Sequence, residues 1–518
     1  MRRNSAQTEG AILASRLPRA RAATFASLVC ALIAIFGANA HSAVASTLPI
    51  GFKDTVAIGG LNNPTTFRFA PDGRIFVAEK SGMILEYDSL TDPTPTVFAD
   101  LRTEVHNFWD RGLLGMVLDP QFPTRPYIYV LYTYDAPIGG TAPTWGVAGQ
   151  DSDGCATPPG ATQDGCVVSG RLARLTANGN TMVPGSENVI INDWCQQFPS
   201  HSIGDLQFGA DGYLYASGGD GASFLYADWG QAGNPVNPCG DPPTGVGGTQ
   251  TPPTAEGGAL RSQDVRTPSD PTDLNGSVIR IDPNTGAGVP TNPLSFSSDA
   301  NARRIVADGF RNPFRFVMRP GTNDLWLGDV GWNDYEEINH VDTSTPTVQD
   351  FGWPCYEGPF PQAGYQSAGL NICNNLTSDQ VTPPVRFYSH NSTVVPGENC
   401  APGSSSITGL NFYSGTSYPA GYSKALFFAD YSRNCIWAMA AGADGLPDPS
   451  QVTTFETGAG APIDLVTGPN GDMFYADFTG GAIHRITYST PPTSNCPAGQ
   501  YSADYFSNMT LSGTPTLS

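Results

Sequence analysis

His201, Asp220, Arg311, Asn312 and the turn Asp329-Val330-Gly331-Trp332 are residues of this 518-residue chain whose types suit chemistry. A neutral imidazole takes a proton, and a carboxylate behind it fixes the tautomer that leaves one ring nitrogen open. Arginine grips anionic groups through charge-assisted hydrogen bonds. Backbone carbonyls in a glycine-containing turn can ligate a hard cation such as Ca²⁺. Brought together, these groups would support proton abstraction beside an anionic cofactor. They lie far apart along the chain, so everything depends on the elements that carry them.

One unit recurs: an alternating strand, a turn, a second apolar strand and a third. Thr66–Phe69, the turn Pro71-Asp72-Gly73, Ile75–Ala78 and Ile84–Tyr87 form the clearest copy. Leu113–Leu118, Ile203–Phe208, Phe314–Met318, Ile407–Tyr413 and Ile463–Thr467 open five more. Six antiparallel sheets of three or four strands predict an all-β fold, a six-bladed β-propeller, with a β-sandwich of the same hairpins as the competing arrangement. Phe52–Ala57 is placed to add an outer strand to the last blade and close the ring. Two insertions, Asp220 to Asn275 and Gln349 to Ser405, are long enough to be lids, binding loops or disordered segments on one face.

In an antiparallel hairpin, the start of the first strand and the end of the second lie at the same end. His201 precedes Ile203 and Asp220 follows the returning strand Tyr213–Ser217, so the two should meet. Arg311 and Asn312 precede Phe314, and Asp329 to Trp332 follow Leu325–Leu327, which puts them on the same rim one blade on. Asp110, Arg111, Asp430, Arg433 and Asp464 join them by the same rule. A loop histidine that merely hydrogen-bonds Asp220 satisfies this spacing equally well.

At these residues the sequence resembles the soluble glucose/sorbosone dehydrogenases. The matching segments are His201-Ser202-Ile203-Gly204-Asp205-Leu206 with Gly219-Asp220, Gly309-Phe310-Arg311-Asn312-Pro313, Leu325-Trp326-Leu327-Gly328-Asp329-Val330-Gly331, Glu336-Glu337-Ile338, Phe351-Gly352-Trp353-Pro354 and Gly112-Leu113-Leu114-Gly115. The resemblance runs from about Gly51 to Tyr488. It implies a six-bladed propeller that uses pyrroloquinoline quinone and Ca²⁺ to oxidise aldose sugars and hands the electrons to an acceptor the sequence does not name. His201 would be the general base on the anomeric hydroxyl, and Asp220 would orient it. Arg311 and Asn312 would contact the quinone, and Arg433 lies near the place of a cofactor-binding lysine. The carbonyls of Gly331 and Trp332 would bind the cofactor's Ca²⁺, while Glu337 and the carbonyl of Phe351 would match part of a second, structural Ca²⁺ site.

Two departures stand out. Relatives with glucose chemistry carry a Gln before the Gly-Leu-Leu-Gly turn, where this chain has Asp110-Arg111. They also carry an Arg-x-Arg pair at the start of the last inner strand, where this chain reads Ala461-Pro462-Ile463-Asp464. A carbohydrate- or protein-binding propeller without the cofactor is therefore the alternative.

The net charge of −21 disfavours nucleic acid and acidic membrane surfaces as partners. Residues 1–45 read as an export signal, with five arginines, an apolar run from Phe25 to Gly37 and a small-residue site at Ala43-Val44-Ala45. No membrane span is expected once it is cleaved. Export makes disulfides plausible, and proximity along the chain suggests Cys155–Cys166, Cys195–Cys239, Cys355–Cys373 and Cys400–Cys435. Residues 46–490 would form the propeller. Residues 491–518, with Cys496, resemble a linker and the truncated start of an anthrax-protective-antigen-type β-sandwich, often a carbohydrate-binding module.

Overall fold

The computed structural model describes residues 46–491 except 158, 159 and 269; the expected export signal and the C-terminal segment from 492 lie outside that range. The fold is a six-bladed β-propeller. Its inner strands are Pro64–Phe69, Leu113–Leu118, Ile203–Phe208, Pro313–Met318, Ile407–Phe412 and Pro462–Thr467. Each pairs antiparallel with the next strand outward, and four strands run from axis to edge in every blade, with a fifth, Gln349–Asp350, added at the edge of the third. The strands missed in sequence are outer ones: Thr96–Asp100, Asn188–Gln196, Ile305–Asp308, Arg386–Ser389 and Pro447–Thr457. Their burial comes in runs and does not alternate, so the period-2 signal is weak.

Phe52–Gly59 pairs antiparallel with Ala482–Tyr488 and closes the ring, one or two residues longer than expected. The closing strand is held where Phe52 meets Tyr418, Phe455 and Tyr488, with ring centroids 4.8–5.1 Å apart. Aromatic edges and faces packed this way add to the burial of apolar area. Beside them, Ser46 donates to Glu456 at 2.5 Å. Burial, and then the charge of Asp54, push the Glu456 carboxyl up to about 8. The folded protein thus keeps a proton that an unfolded glutamate releases near pH 4.3. Its contribution to stability is full below that pH and is lost as pH rises through about 8. The melting temperature is expected to fall between pH 5 and pH 8.5, and Glu456→Gln should flatten part of that slope in a thermal scan.

Each of the six blade junctions has its own buried apolar cluster. Phe76, Met116 and Val130 sit between the first two blades, and Phe67, Ile463 and Phe474 between the last and the first. The other four junctions are filled likewise. Every inner strand also slips register near its start, between Pro64 and Thr66, Leu113 and Gly115, Ile203 and Leu206, Pro313 and Arg315, Ile407 and Leu410, and Pro462 and Asp464. A bulge bends a strand and re-aims its side chains. Six of them at one level turn the strand starts and their preceding loops around a common opening. Just inside the bulges, Arg68 bridges Asp464 at 2.7 Å and Asp205 at 3.5 Å, and Arg315 donates to the Thr65 carbonyl at 2.8 Å. This buried ionic network joins four blades across the axis.

The long insertions are not structureless. They pack on each other through Leu260, Trp353, Tyr365, Leu370 and Leu376, a cluster separate from the blade junctions. All four expected disulfides form; Cys195–Cys239 and Cys355–Cys373 anchor these insertions, Cys400–Cys435 ties the end of the second to blade 5, and Cys155–Cys166 closes a loop of blade 2. Such crosslinks stabilise mainly by restricting the unfolded chain.

Candidate active site

The bulged start of the third inner strand places His201. Its backbone is left-handed, with φ 46°, and the residue is 4% exposed. A non-glycine residue held there is strained, and such strain persists where surrounding structure enforces it. The enforcement comes from the returning strand: Gly219 and Gly221 donate to the carbonyls of Ser202 and His201 at 2.5 and 2.9 Å. A Cβ on Gly219 would meet the His201 carbonyl oxygen at 2.4 Å, so only glycine lets the two segments close.

His201 Nδ1 lies 2.9 Å from Asp220 Oδ1. The same carboxylate accepts the Ala222 N–H at 2.9 Å and, through Oδ2, the Trp353 indole N–H at 2.8 Å. The Asp220 carbonyl accepts from Asn275 and Arg261, which fixes its backbone as well. Burial alone pushes the Asp220 carboxyl up, but the His201 ring, Arg311 and the Ala222 N–H outweigh it and hold it below the ordinary carboxylate range. Burial and the nearby Arg311 charge lower the His201 pKa against the pull of Asp220. The ring is therefore neutral at pH 7, with its proton on Nδ1 facing Asp220. Nε2 makes no hydrogen bond within the protein, and His201 lines the main cavity. This is the geometry a general base requires.

One blade on, the Arg311 and Asn312 N–H groups donate to Asp329 at 3.0 and 2.7 Å, as the hairpin rule places them. The Arg311 guanidinium lies over Trp353 at 5.6 Å, and its Nη1 donates to the carbonyls of Gly331 at 2.7 Å and Val330 at 3.0 Å. The Gly331 carbonyl, expected to face a cation, is thus occupied by Arg311. Glu357 holds the turn from the other side: its Oε1 accepts four successive N–H groups, Trp332 to Tyr335, at 2.8–3.2 Å. Sequence reasoning did not single out Glu357, and nothing in its spacing announces this role.

Arg311, Asn312, Gly331 and Trp332 line the same cavity as His201, which encloses about 740 Å³. Other expected residues do not. Arg433 folds under the fifth blade, where it donates to Ser405 Oγ and to the carbonyls of Ser389 and Ser392. Arg111 is fully buried against the carbonyls of Cys166 and Gln196. Asp464 belongs to the axial ionic network. Glu337 is buried in the third strand of blade 4, bound to Asn339 and to the Gly358 N–H, and burial raises its carboxyl to about 7. Phe351, whose carbonyl was expected with Glu337 at a separate structural Ca²⁺ site and not in the cavity, stacks its ring on Phe310 at 4.7 Å. Chain position gives the rim on which a residue lies, whereas the side chain's direction depends on the local turn, and at Arg111 and Arg433 that turn faces inward.

Among the cavity residues not anticipated from sequence, Lys80 and His390 carry basic groups. Lys80 follows the returning strand Ile75–Glu79 of blade 1, the counterpart of Asp220, so the hairpin rule could have found it. Burial lowers its ammonium to about 8, against the charges of Asp110 and Asp153. His390, on the second insertion, bonds Glu336 at 2.7 Å on the opposite wall.

The cavity suits a planar anion. Arg311 Nε is buried without a partner, the Asn312 side-chain amide makes no hydrogen bond, and Lys80 supplies a second cation. Trp332, Phe314 and Phe478 offer ring faces. On the sixth blade, Ile463 presents an apolar side chain to the cavity.

The glucose/sorbosone dehydrogenase family profile matches residues 61–240 and 257–483. The chain is 24% identical to the HIPL2 protein of Arabidopsis thaliana over 390 residues, 70% of this chain and 47% of that one. It is 25% identical to quinoprotein glucose dehydrogenase B of Acinetobacter calcoaceticus over 334 residues, 62% and 57% of the two chains. It thus spans about half the length of these relatives. The PQQ-bound form of aldose sugar dehydrogenase from Streptomyces coelicolor superposes with a TM-score of 0.53 at 16% identity, covering 86% of this chain and all of that one. With the family profile matching most of its length and the propeller carrying the family's motifs on one rim, the chain belongs to the glucose/sorbosone dehydrogenase family.

Proposed function

We propose that this protein is an exported quinoprotein that oxidises aldose sugars at the anomeric carbon. The observation that carries the reading is the neutral, Asp220-oriented His201, with Nε2 open to the cavity beside Arg311 and Asn312. His201 Nε2 takes the proton of the anomeric hydroxyl. Asp220 stays ionised and stabilises the imidazolium that results, while Trp353 and Ala222 keep the carboxylate from turning away. Pyrroloquinoline quinone, when bound, would supply the two-electron acceptor for the hydride leaving C1. Arg311, Asn312 and Lys80 would hold its polar edges, and Trp332 would lie against its ring system. The Trp332 carbonyl would ligate the accompanying Ca²⁺, while the Gly331 carbonyl stays with Arg311. The family membership, the quinoprotein relative and the four disulfides support this reading. No helix among the described residues is long and apolar enough to cross a membrane.

The full chain incubated with pyrroloquinoline quinone and Ca²⁺ is expected to reduce an artificial electron acceptor when given aldoses. Ca²⁺ should also raise the melting temperature through mass action, and chelator should reverse the rise, with Mg²⁺ a poor substitute. Ile463→Arg should tighten quinone binding by supplying the absent cation. An apoprotein whose melting curve ignores Ca²⁺ and which stays inert with quinone would instead place it among binding propellers.

A further inference from the structure

A second histidine–carboxylate pair faces the cavity from the wall opposite His201. His390 Nε2 lies 2.7 Å from Glu336 Oε1. Glu336 is fully buried, and its Oε2 accepts the Ile407 N–H at 2.8 Å, which ties the pair to the bulged start of the fifth inner strand. The backbone around His390 is clamped. Its N–H donates to the Asp334 carbonyl at 3.0 Å, and its carbonyl accepts the Gly403 N–H at 2.7 Å. Arg433 donates to the flanking Ser389 and Ser392 carbonyls at 2.8 Å. Asp430, paired with Arg433 at 3.7 Å, adds charge behind Glu336.

The chemistry of this pair mirrors that of His201. A neutral ring bonded to a carboxylate through one nitrogen keeps its proton there and leaves the other nitrogen bare. His390 Nδ1 makes no hydrogen bond within the protein, and the residue lines the cavity with its side chain 13% exposed. The catalytic reading gives this pair no task.

The proposed oxidation nevertheless has two hydrogens to dispose of. The anomeric O–H gives its proton to His201 Nε2, and its bonding pair becomes the new C=O bond. The C1–H bond breaks with its electron pair, and the hydrogen leaves as hydride. When two equivalents of a one-electron acceptor take those two electrons, that hydrogen departs as a proton. His201 is a poor second acceptor, because its ring already carries the first proton and is buried. Lys80, lowered to about 8, is charged at pH 7 and bound to Asn107. Histidine is the side chain that ordinarily changes charge between pH 5 and 8, and His390 is the second one lining the cavity.

We propose that His390 Nδ1 accepts the C1-derived proton as the electrons leave, with Glu336 stabilising the imidazolium. His201 then serves reduction of the bound quinone by the sugar, and His390 serves its reoxidation. This rests on the dehydrogenase reading and adds a second base to it.

Two measurements on the full chain test the proposal. The first needs no quinone. Nitrogen NMR of histidine-labelled protein, with His390 assigned from His390→Gln, should show the neutral ring carrying its proton on Nε2; a proton on Nδ1 would overturn the proposal. The second is stopped-flow absorbance of the quinone-loaded protein, which separates the two half-reactions. His390→Gln should slow reoxidation by saturating ferricenium at least ~10²-fold, the scale of a lost general base, with reduction by aldose little changed. His201→Ala should show the reverse. Imidazole added to His390→Ala should restore reoxidation in proportion to its neutral form, which the loss of a merely structural contact would not show. Equal reoxidation rates in wild type and His390→Gln, or no rescue by imidazole, would overturn the proposal and leave the dehydrogenase reading standing. A loaded wild-type protein that aldose does not reduce would overturn both.

Discussion

His201→Ala is expected to lower kcat/KM for aldoses by at least ~10²-fold, and by up to ~10⁴-fold, the range over which a positioned general base acts. The loss should fall on the chemical step, because Nε2 meets only the reacting hydroxyl, while quinone affinity stays close to wild type. The change removes a ring from a left-handed position already enforced by Gly219 and Gly221, so folding should survive it. The pH profile gives a second reading. With the His201 pKa held below its ordinary value by burial and Arg311, activity should be level above about pH 6.5 and fall only on the acid side. Arg311→Gln removes one of those two causes, so the acid limb should move to higher pH even where the rate is low for other reasons. Asp220→Asn should move it lower. Stopped-flow reduction of the bound quinone across pH 4.5–8 would measure all three shifts.

Asp220→Asn itself is expected to reduce kcat by roughly 10–10²-fold and to lower the melting temperature. The three donors on Asp220 explain why. If the amide oxygen faces His201 and Ala222, the amide nitrogen points at the Trp353 indole N–H; if it is flipped, the nitrogen meets His201 and Ala222. Either way a buried donor faces a donor, at a cost of about 1–3 kcal/mol. The flipped state also forces the imidazole proton onto Nε2, which removes the base from that fraction of molecules. Trp353→Phe should recover part of both the stability and the rate of Asp220→Asn, because it removes the clash in the state whose amide oxygen faces His201 and Ala222, and the Ala222 N–H then selects that state and its tautomer. A double-mutant cycle on melting temperature and on kcat separates the two effects.

The pairing of His201 with Asp220, and of Arg311 with Asp329, was legible from hairpin geometry because strand ends and strand starts are local facts. The same rule applies to Lys80 after the blade 1 hairpin. Trp353 on Asp220 was not legible. It arrives from an insertion far along the chain, through a contact that exists only once the two insertions have built their own apolar cluster. Nor were the directions of Arg111 and Arg433, which hairpin position places on the rim and local turns bury behind it. The absent arginines at the start of the last inner strand were visible in sequence. Their structural counterpart was not: Asp464 there closes an ionic bridge with Arg68 of the neighbouring first blade, so this stretch of the sixth blade serves the scaffold. The outer strands escaped notice for a simpler reason: their burial does not alternate, Ile305–Asp308 being buried throughout and Pro447–Thr457 running mostly exposed through its middle, so they carry little period-2 signal.

The most direct measurement is an absorbance titration of the full chain with pyrroloquinoline quinone in the presence of Ca²⁺, followed by mixing with an aldose deuterated at C1. Saturable binding in the micromolar range, quinone reduction on mixing and a slower reduction of the bound quinone by the deuterated sugar are expected if the cavity beside His201 oxidises the anomeric carbon. Absence of quinone binding at high micromolar concentration, or reduction that is unchanged by the deuterium and by His201→Ala, would contradict it.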